Sequence, residues 1–147
     1  MKAILDMSEL NVQQQAVSDI SRAVVNLLES WSLNTQDMQN MLCLPENYRA
    51  RKFNKLREGN EILPDDERVL RRAGYLLRIS DALRTTYPCN PEMASRWIRM
   101  RHRRFRQKTP LDMILNEGES GLIAVLSELD CTFSWDLTGS VTPKTRC

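Results

Sequence analysis

The apolar residues of this chain recur at helical spacing, and no stretch alternates as a β-strand would. From position 16 to position 31 an apolar side chain returns every three or four residues, which defines one face of a helix. This face comprises Ala16, Ile20, Ala23, Val24, Leu27, Leu28 and Trp31. Residues 1–13 lack a clear period, so we expect them to fray or to pack loosely.

Two shorter helices are predicted next, and a proline separates them. Asn34 or Thr35 can cap the first, from Gln36 to Cys43. The second runs from about Glu46 to Glu58, where the following glycine is a natural end. Three short helices with tight turns, the third of them basic, form the pattern of a helix-turn-helix.

The third helix carries the basic side chains that could bind DNA. Arg51, Lys52 and Lys55 can share one exposed face, from which they would reach phosphates. The candidate DNA-binding residues are Arg49, Arg51, Lys52 and Lys55. An ordinary solvated helix face accounts for the same charges equally well.

A long helix is predicted to connect the two halves of the chain. Pro64 and the acidic residues after it suit a helix start, because negative charge favours the positive end of the helix dipole. The apolar face comprises Val69, Leu70, Ala73, Leu76, Leu77, Ser80, Leu83 and Tyr87. Gly74 in the middle of this helix costs about 1 kcal/mol relative to alanine, which indicates close helix packing there. Pro88 ends the helix.

The last third of the chain contains two helix starts of the same kind. Asn90-Pro91 and Thr109-Pro110 each place a capping side chain before a proline in the first turn. Asp112 lies within the first turn of the second helix, where it can accept from free backbone N–H groups. Gly118 is expected to end that helix, and Ser120 is expected to cap the last one.

These elements predict an all-α protein. Residues 1–62 would form an N-terminal helix-turn-helix-like bundle, which the long helix connects to a small C-terminal domain. That helical domain would span residues 63–132, and residues 133–147 would form a tail. The tail loses helical periodicity but contains Phe133 and Trp135, which could anchor a partner or fold back over the core.

Composition argues against membranes, metals and catalysis. No apolar run approaches the length of a membrane span, and the first residues lack the apolar core of a signal peptide, so we expect a soluble cytoplasmic protein. The four cysteines are widely spaced and only one histidine is present, so we expect no metal site, no cofactor and reduced thiols. His102 has no carboxylate close in sequence to orient it, so we expect a binding protein and not an enzyme.

Charge is distributed in two blocks of opposite sign. Residues 96–108 contain seven basic and no acidic residues, and residues 109–137 contain six acidic and no basic residues. Six arginines and lysines lie within positions 99–108, which we call the basic loop, together with Phe105. The loop suits phosphate contacts with a stacking aromatic, or it is a solvated loop balanced by the acidic helices.

The C-terminal motifs resemble those of the Xre/MbcA/ParS-type antitoxins, in their toxin-binding domain. The resemblance rests on Arg96-Trp97-Ile98-Arg99, Thr109-Pro110-Leu111-Asp112 and Gly121-Leu122, which follow the family pattern in order and spacing. Upstream, Tyr75 to Pro88 is similar to the long helix of the family. The likeness extends over roughly residues 20–132 and is weak in the N-terminal half.

The resemblance implies a type II antitoxin whose partner is a RES-type toxin that consumes or transfers from NAD⁺. Such an antitoxin blocks the NAD⁺ pocket of the toxin, and its helix-turn-helix half often mediates oligomerisation and operator binding. We therefore expect a cognate toxin as partner, operator DNA as a second candidate partner, and a homo-oligomer or a toxin–antitoxin hetero-oligomer. The candidate toxin-binding residues are Trp97, Arg99, Arg101, Phe105, Thr109, Pro110, Leu111, Asp112, Gly121 and Trp135. The alternative is a DNA-binding repressor in which toxin binding is lost or secondary.

The basic loop departs from the family pattern in two places. Arg106-Gln107 stands where the family has Gly-Gly, and Arg101-His102 stands where it has Pro-Asn. Because glycine permits positive φ and close backbone approach, we expect the loop to be shaped differently here. Added bulk and charge on a contact surface would suit a divergent toxin, or a chain without a toxin partner.

Overall fold

The computed structural model of the chain describes the backbone of residues 7–129 and the side chains of residues 11–129. Seven α-helices account for most of this part of the chain, and it contains no strand. The helices are α1 (Met7–Ser30), α2 (Thr35–Leu42), α3 (Ala50–Glu58), α4 (Glu67–Thr86), α5 (Pro91–Trp97), α6 (Pro110–Glu117) and α7 (Glu119–Leu129), with a 3₁₀ turn at Arg103–Phe105. The all-α prediction is confirmed.

One apolar core runs through the described residues, and α4 lies along it. This helix packs against α1 and α2, which precede it in the chain, and against α5 and α7, which follow it. Its buried residues are Val69, Ala73, Leu76, Ile79 and Leu83. The connecting role predicted for the long helix is confirmed, whereas the boundary between residues 62 and 63 stays a prediction.

Three of the predicted caps are present, whereas the cap predicted at Ser120 is wrong because this residue lies inside α7. Asn34 accepts a hydrogen bond from the Asp37 backbone N–H at 2.8 Å, and Asn90 and Thr109 cap α5 and α6 in the same way. Gly59 ends α3 in the left-handed conformation, with φ of 83°. Each cap satisfies backbone groups that the helix itself leaves without a partner.

Four helix boundaries differ from prediction. Helix α1 already begins at Met7, and α3 begins at Ala50 after a connector of seven residues, 43–49. The Gln39 side-chain amide donates to the Tyr48 carbonyl and holds this connector in place of a longer helix. Helix α4 begins at Glu67 with Asp66 as its cap, and α7 begins one residue before Ser120. The capping and proline signals in the sequence thus predict these helix starts one to several residues away from the observed ones.

Two predicted packing features are wrong. A Cβ added to Gly74 would meet no atom within 4 Å, so this glycine faces open space and permits no close helix contact. Of the apolar face predicted for α1, Val24, Leu28 and Trp31 are buried, whereas Ala16 and Ala23 are exposed and Ile20 is 39% exposed. Buried Ser21 accepts a hydrogen bond from the Leu63 backbone N–H at 3.0 Å, which ties the connector after α3 to α1. Long-range contacts of this kind leave no periodic signal.

Candidate functional site

The C-terminal helices meet at a joint built by the Thr-Pro-Leu-Asp stretch. The Thr109 hydroxyl accepts from the Asp112 backbone N–H at 3.0 Å, and Pro110 occupies the first turn of α6. The Leu111 backbone N–H donates to the Ile98 carbonyl at 3.0 Å, which fastens the start of α6 to the end of α5. This short stretch therefore sets the angle at which the chain leaves the basic loop.

Three rings form a small stack under the basic loop. The Trp97 and His102 ring centroids lie 4.7 Å apart, and those of His102 and Phe105 lie 5.8 Å apart, nearly edge to face. Trp97 is only 7% exposed and Phe105 only 6%. Phe105 therefore anchors the loop to the core and is not presented for stacking on a base.

The loop closes on itself between His102 and Lys108. The His102 N–H donates to the Lys108 carbonyl at 3.1 Å, and the Gln107 N–H donates back to the His102 carbonyl at 3.0 Å. Arg106 and Gln107 adopt the left-handed conformation, with φ of 55° and 67°. The absence of glycine therefore does not remove positive φ from this loop, whereas the expected difference from the loop shape of the family stays a prediction. Left-handed φ costs a non-glycine residue about 1–2 kcal/mol.

The basic loop is exposed and little neutralised. Arg104 lies 3.4 Å from Glu128 of α7, and Arg99 donates to the Trp31 carbonyl at the end of α1. Four further cations make no side-chain hydrogen bond or ion pair with any residue in the described range 7–129. They are Arg101, Arg103, Arg106 and Lys108, all exposed. Within that range, the acidic residues of α6 and α7 form an ion pair with only one basic side chain of the loop, Arg104.

Gly121 lies where α6 and α7 cross. A Cβ added there would lie 2.0 Å from the Met113 carbonyl oxygen and 2.5 Å from its carbon. Both atoms belong to the backbone, so the neighbour cannot move aside as a flexible side chain would. The crossing of α6 and α7 therefore requires glycine at position 121.

The candidate toxin-binding residues divide by burial. The buried members are Trp97, Phe105, Pro110, Leu111 and Gly121, and the exposed members are Arg99, Arg101 and Asp112. Thr109 is half-buried and serves as the cap of α6. Trp135, like Phe133, lies outside the described residues. The buried side chains position the loop and the crossing, and contact of any of these residues with a toxin stays a prediction.

Helix α3 presents the candidate DNA-binding residues. Arg49, Arg51 and Lys55 are exposed, while Lys52 lies over the Tyr48 ring at 4.6 Å from its centroid. Burial raises the pKa of the Tyr48 hydroxyl, and the charge of Glu61 raises it further. The connector before α3 is longer than the three- to four-residue turn of a helix-turn-helix. DNA binding by α3 stays a prediction.

Two arginines of α4 were missed by the sequence analysis. Arg71 contacts Glu119 at 2.5 Å and Glu67 at 3.3 Å, and its hydrogen bond and charge attraction to Glu119 raise its pKa. Arg72 donates to the Asn40 and Met41 carbonyls at 3.2 and 3.3 Å, at the end of α2. Together they tie α7 and α2 to α4. The i,i+4 spacing of Glu67 and Arg71 is the one local sequence feature that indicates a contact of Arg71, and no such feature indicates the contacts of Arg72.

The described residues offer little for bound metals or membranes. Within residues 7–129, no three side chains of the metal-ligating types come close enough to hold an ion. None of the helices in this range has the length and apolar character that a membrane span requires.

A groove of about 440 Å³ lies between α1, α4 and α5, beside Trp31, Leu83 and Tyr87.

Comparison with protein families identifies the C-terminal part of the chain. Residues 82–132 match the family model described as the antitoxin Xre/MbcA/ParS C-terminal toxin-binding domain. The match begins in the last part of α4 and includes α5, the basic loop, α6 and α7. Comparisons with curated proteins and with solved structures gave no match. The resemblance is confirmed for this segment, which implies a toxin as partner and an antitoxin role in a toxin–antitoxin system.

Proposed function

We propose that the protein is a type II antitoxin that neutralises a RES-type toxin by covering the toxin's NAD⁺ site. The observation that carries this proposal is the match of residues 82–132 to the toxin-binding domain. The toxin class, the occlusion of the NAD⁺ site and autoregulation of the operon extend beyond that match. They rest on the family likeness of the Trp97 and Thr109–Asp112 motifs.

The geometry of the segment suits a preformed binding surface. Phe105 and the His102–Lys108 pairing fix the basic loop on the helices, so little conformational entropy remains to be lost on binding. Arg101 and Asp112 are exposed on either side of that pairing. A rigid, charged surface of this kind fits recognition of a folded protein better than capture of a small molecule in a deep pocket.

Co-expression with the RES-domain protein encoded by a neighbouring gene tests this proposal. We expect the antitoxin to relieve growth arrest and to restore cellular NAD⁺, and we expect the two purified proteins to form a complex. Gly121→Ala, which breaks the α6–α7 crossing, should abolish relief. Gly74→Ala, a glycine change at an open position, should leave relief intact. Persistent arrest and NAD⁺ loss with the wild-type antitoxin would disprove the proposal.

DNA binding by α3 is the second candidate function, either as autoregulation or as a repressor role without toxin binding. The observation in its favour is that Arg51 and Lys55 are exposed on α3 and Arg49 is exposed at its N-cap, all outside the toxin-binding segment. Removing Arg51 and Lys55 should flatten the dependence of operator affinity on salt by about two counterions. Fluorescence anisotropy with an upstream duplex measures this slope. An unchanged slope would remove α3 from the DNA-binding hypothesis.

A further inference from the structure

Two side chains at the tip of the basic loop have no role within the described residues that explains their presence. Arg106 and Gln107 are consecutive residues at positive φ, where glycine would avoid the Cβ penalty. Both are exposed, and neither side chain forms a hydrogen bond or ion pair with residues 7–129. The backbone therefore carries strain that its own packing does not require.

The loop maintains this strained pair by fixing both of its sides. Phe105 is buried directly before the pair, and Lys108 directly after it is bonded through its carbonyl to the His102 N–H. The Arg106 N–H donates to the Arg103 carbonyl at 3.1 Å, which completes the turn. Strain that the surroundings maintain in this way is typical of contact and recognition sites.

The surroundings of the pair define the charge of what it contacts. Arg101, Arg103 and Lys108 are exposed and carry no ion pair to any residue of the described range. A partner surface docked here must therefore bring negative charge, since bringing cations close together without counter-charges is unfavourable. A guanidinium can donate two parallel hydrogen bonds to one carboxylate, and the adjacent glutamine amide can both donate and accept.

An acidic protein surface fits this tip better than a nucleic acid. Binding of single strands uses exposed aromatic rings for base stacking, but Phe105 and Trp97 are both buried. Reading of a duplex uses a helix or a β-ribbon in the groove, and the tip is a turn after three residues of 3₁₀ helix. The loop also lies inside the segment that matches a toxin-binding domain.

We propose that Arg106 and Gln107 are partner-discriminating residues, which contact a carboxylate-bearing patch on the surface of the toxin. This inference rests on the proposed function and adds to it the chemistry of the contacted face. The strained backbone presents the two side chains outward from the loop, and the neighbouring cations attract the acidic patch. A toxin without acidic groups at this position would be bound weakly.

The test compares Arg106→Gly/Gln107→Gly with the wild-type chain. The double variant removes both side chains and relieves the strain, so we expect full helicity by circular dichroism. Affinity for the purified RES-domain protein from the neighbouring gene should fall at least tenfold, as for central interface residues. Arg106→Glu, which keeps a side chain but reverses its charge, should weaken binding further, and most strongly at low salt.

Arg68→Gln is a control that removes the same charge from an exposed position of α4, outside the matched segment, and it should leave toxin affinity unchanged. Equal toxin affinities of the wild type and the double variant would overturn the inference and leave the proposed function standing. An equal loss with Arg68→Gln would also overturn it, because net charge alone would then explain the effect. A parallel titration of the double variant with duplex DNA tests the other class of partner. If the double variant lost affinity for DNA but not for the toxin, the inference would be overturned as well. If the wild-type chain did not bind the toxin, the proposed function would fail first.

Discussion

The buried motif residues of the toxin-binding segment and its basic loop obey different constraints. Trp97, Pro110 and Gly121 follow the family pattern, and each is buried in the joint or the helix crossing. Arg106 and Gln107 depart from the pattern, and each is exposed at strained backbone. In one short segment, the residues that identify the family serve packing, and the residues that differ are free to contact a partner.

From this difference in burial we expect the family motif to be a poor guide to contact residues. A buried glycine or tryptophan recurs because packing tolerates few replacements, whatever the partner is. An exposed loop tolerates many replacements, so it can change with the partner. Substitutions made separately in the two regions therefore test this division.

The largest effect is expected at the helix crossing. Gly121→Ala places a methyl group 2.0 Å from the Met113 carbonyl oxygen, so α6 and α7 must separate. We expect a loss of about 4 kcal/mol in the free energy of unfolding, or failure to fold. Urea titration followed by circular dichroism measures it. Gly74→Ala is the matched control, and it should stabilise α4 by about 0.5–1 kcal/mol because that position is open. Similar losses at both glycines would contradict the crossing.

Phe105 tests whether a loop aromatic is an anchor or a contact. Phe105→Ala should cost about 3 kcal/mol of unfolding free energy, because the side chain is buried. Phe105→Leu preserves most of the apolar volume and should cost less than about 1.5 kcal/mol. If the ring contacted the toxin directly, Phe105→Leu would reduce toxin affinity while leaving the unfolding free energy almost unchanged. We expect affinity to follow stability instead.

A smaller effect is expected at the cap of α6. Thr109→Ala removes the acceptor for the Asp112 backbone N–H and should cost about 1 kcal/mol. Thr109→Ser retains a capping hydroxyl and should restore nearly all of that stability. Thermal unfolding of the three proteins is the measurement. A serine variant as unstable as the alanine variant would show that the threonine methyl group matters more than the cap.

An effect of similar size but opposite sign is expected at the loop tip. Arg106→Gly/Gln107→Gly relieves positive φ but increases the conformational freedom of the unfolded chain, so the net gain should be about 1 kcal/mol. Arg103→Gly changes a residue in the 3₁₀ turn and should instead lose about 0.5–1 kcal/mol. Chemical denaturation of the two variants and the wild type gives the comparison. A loss of stability in the double variant would indicate that the side chains support the fold.

Much of the fold could be predicted because its signals are local. Asn34, Asn90 and Thr109 each cap a helix through a backbone N–H three residues away, and Gly59 ends a helix by its own φ. The all-α class and the connecting role of α4 follow from spacing of the same kind. Less of the site could be predicted, since exposure of a loop residue depends on which distant helices pack beneath it.

The helices, most of their caps and the family of the C-terminal segment follow from the sequence alone, because each depends on neighbours in the chain. The packing of distant segments instead determined that Phe105 is buried, that Gly74 is open while Gly121 is closed, and that Ser21 bonds to Leu63. The closure of the basic loop also determined that Arg106 and Gln107 adopt left-handed backbone without glycine. These features depend on contacts between residues far apart in sequence, or on a loop closed by its own hydrogen bonds, and no local pattern encodes them.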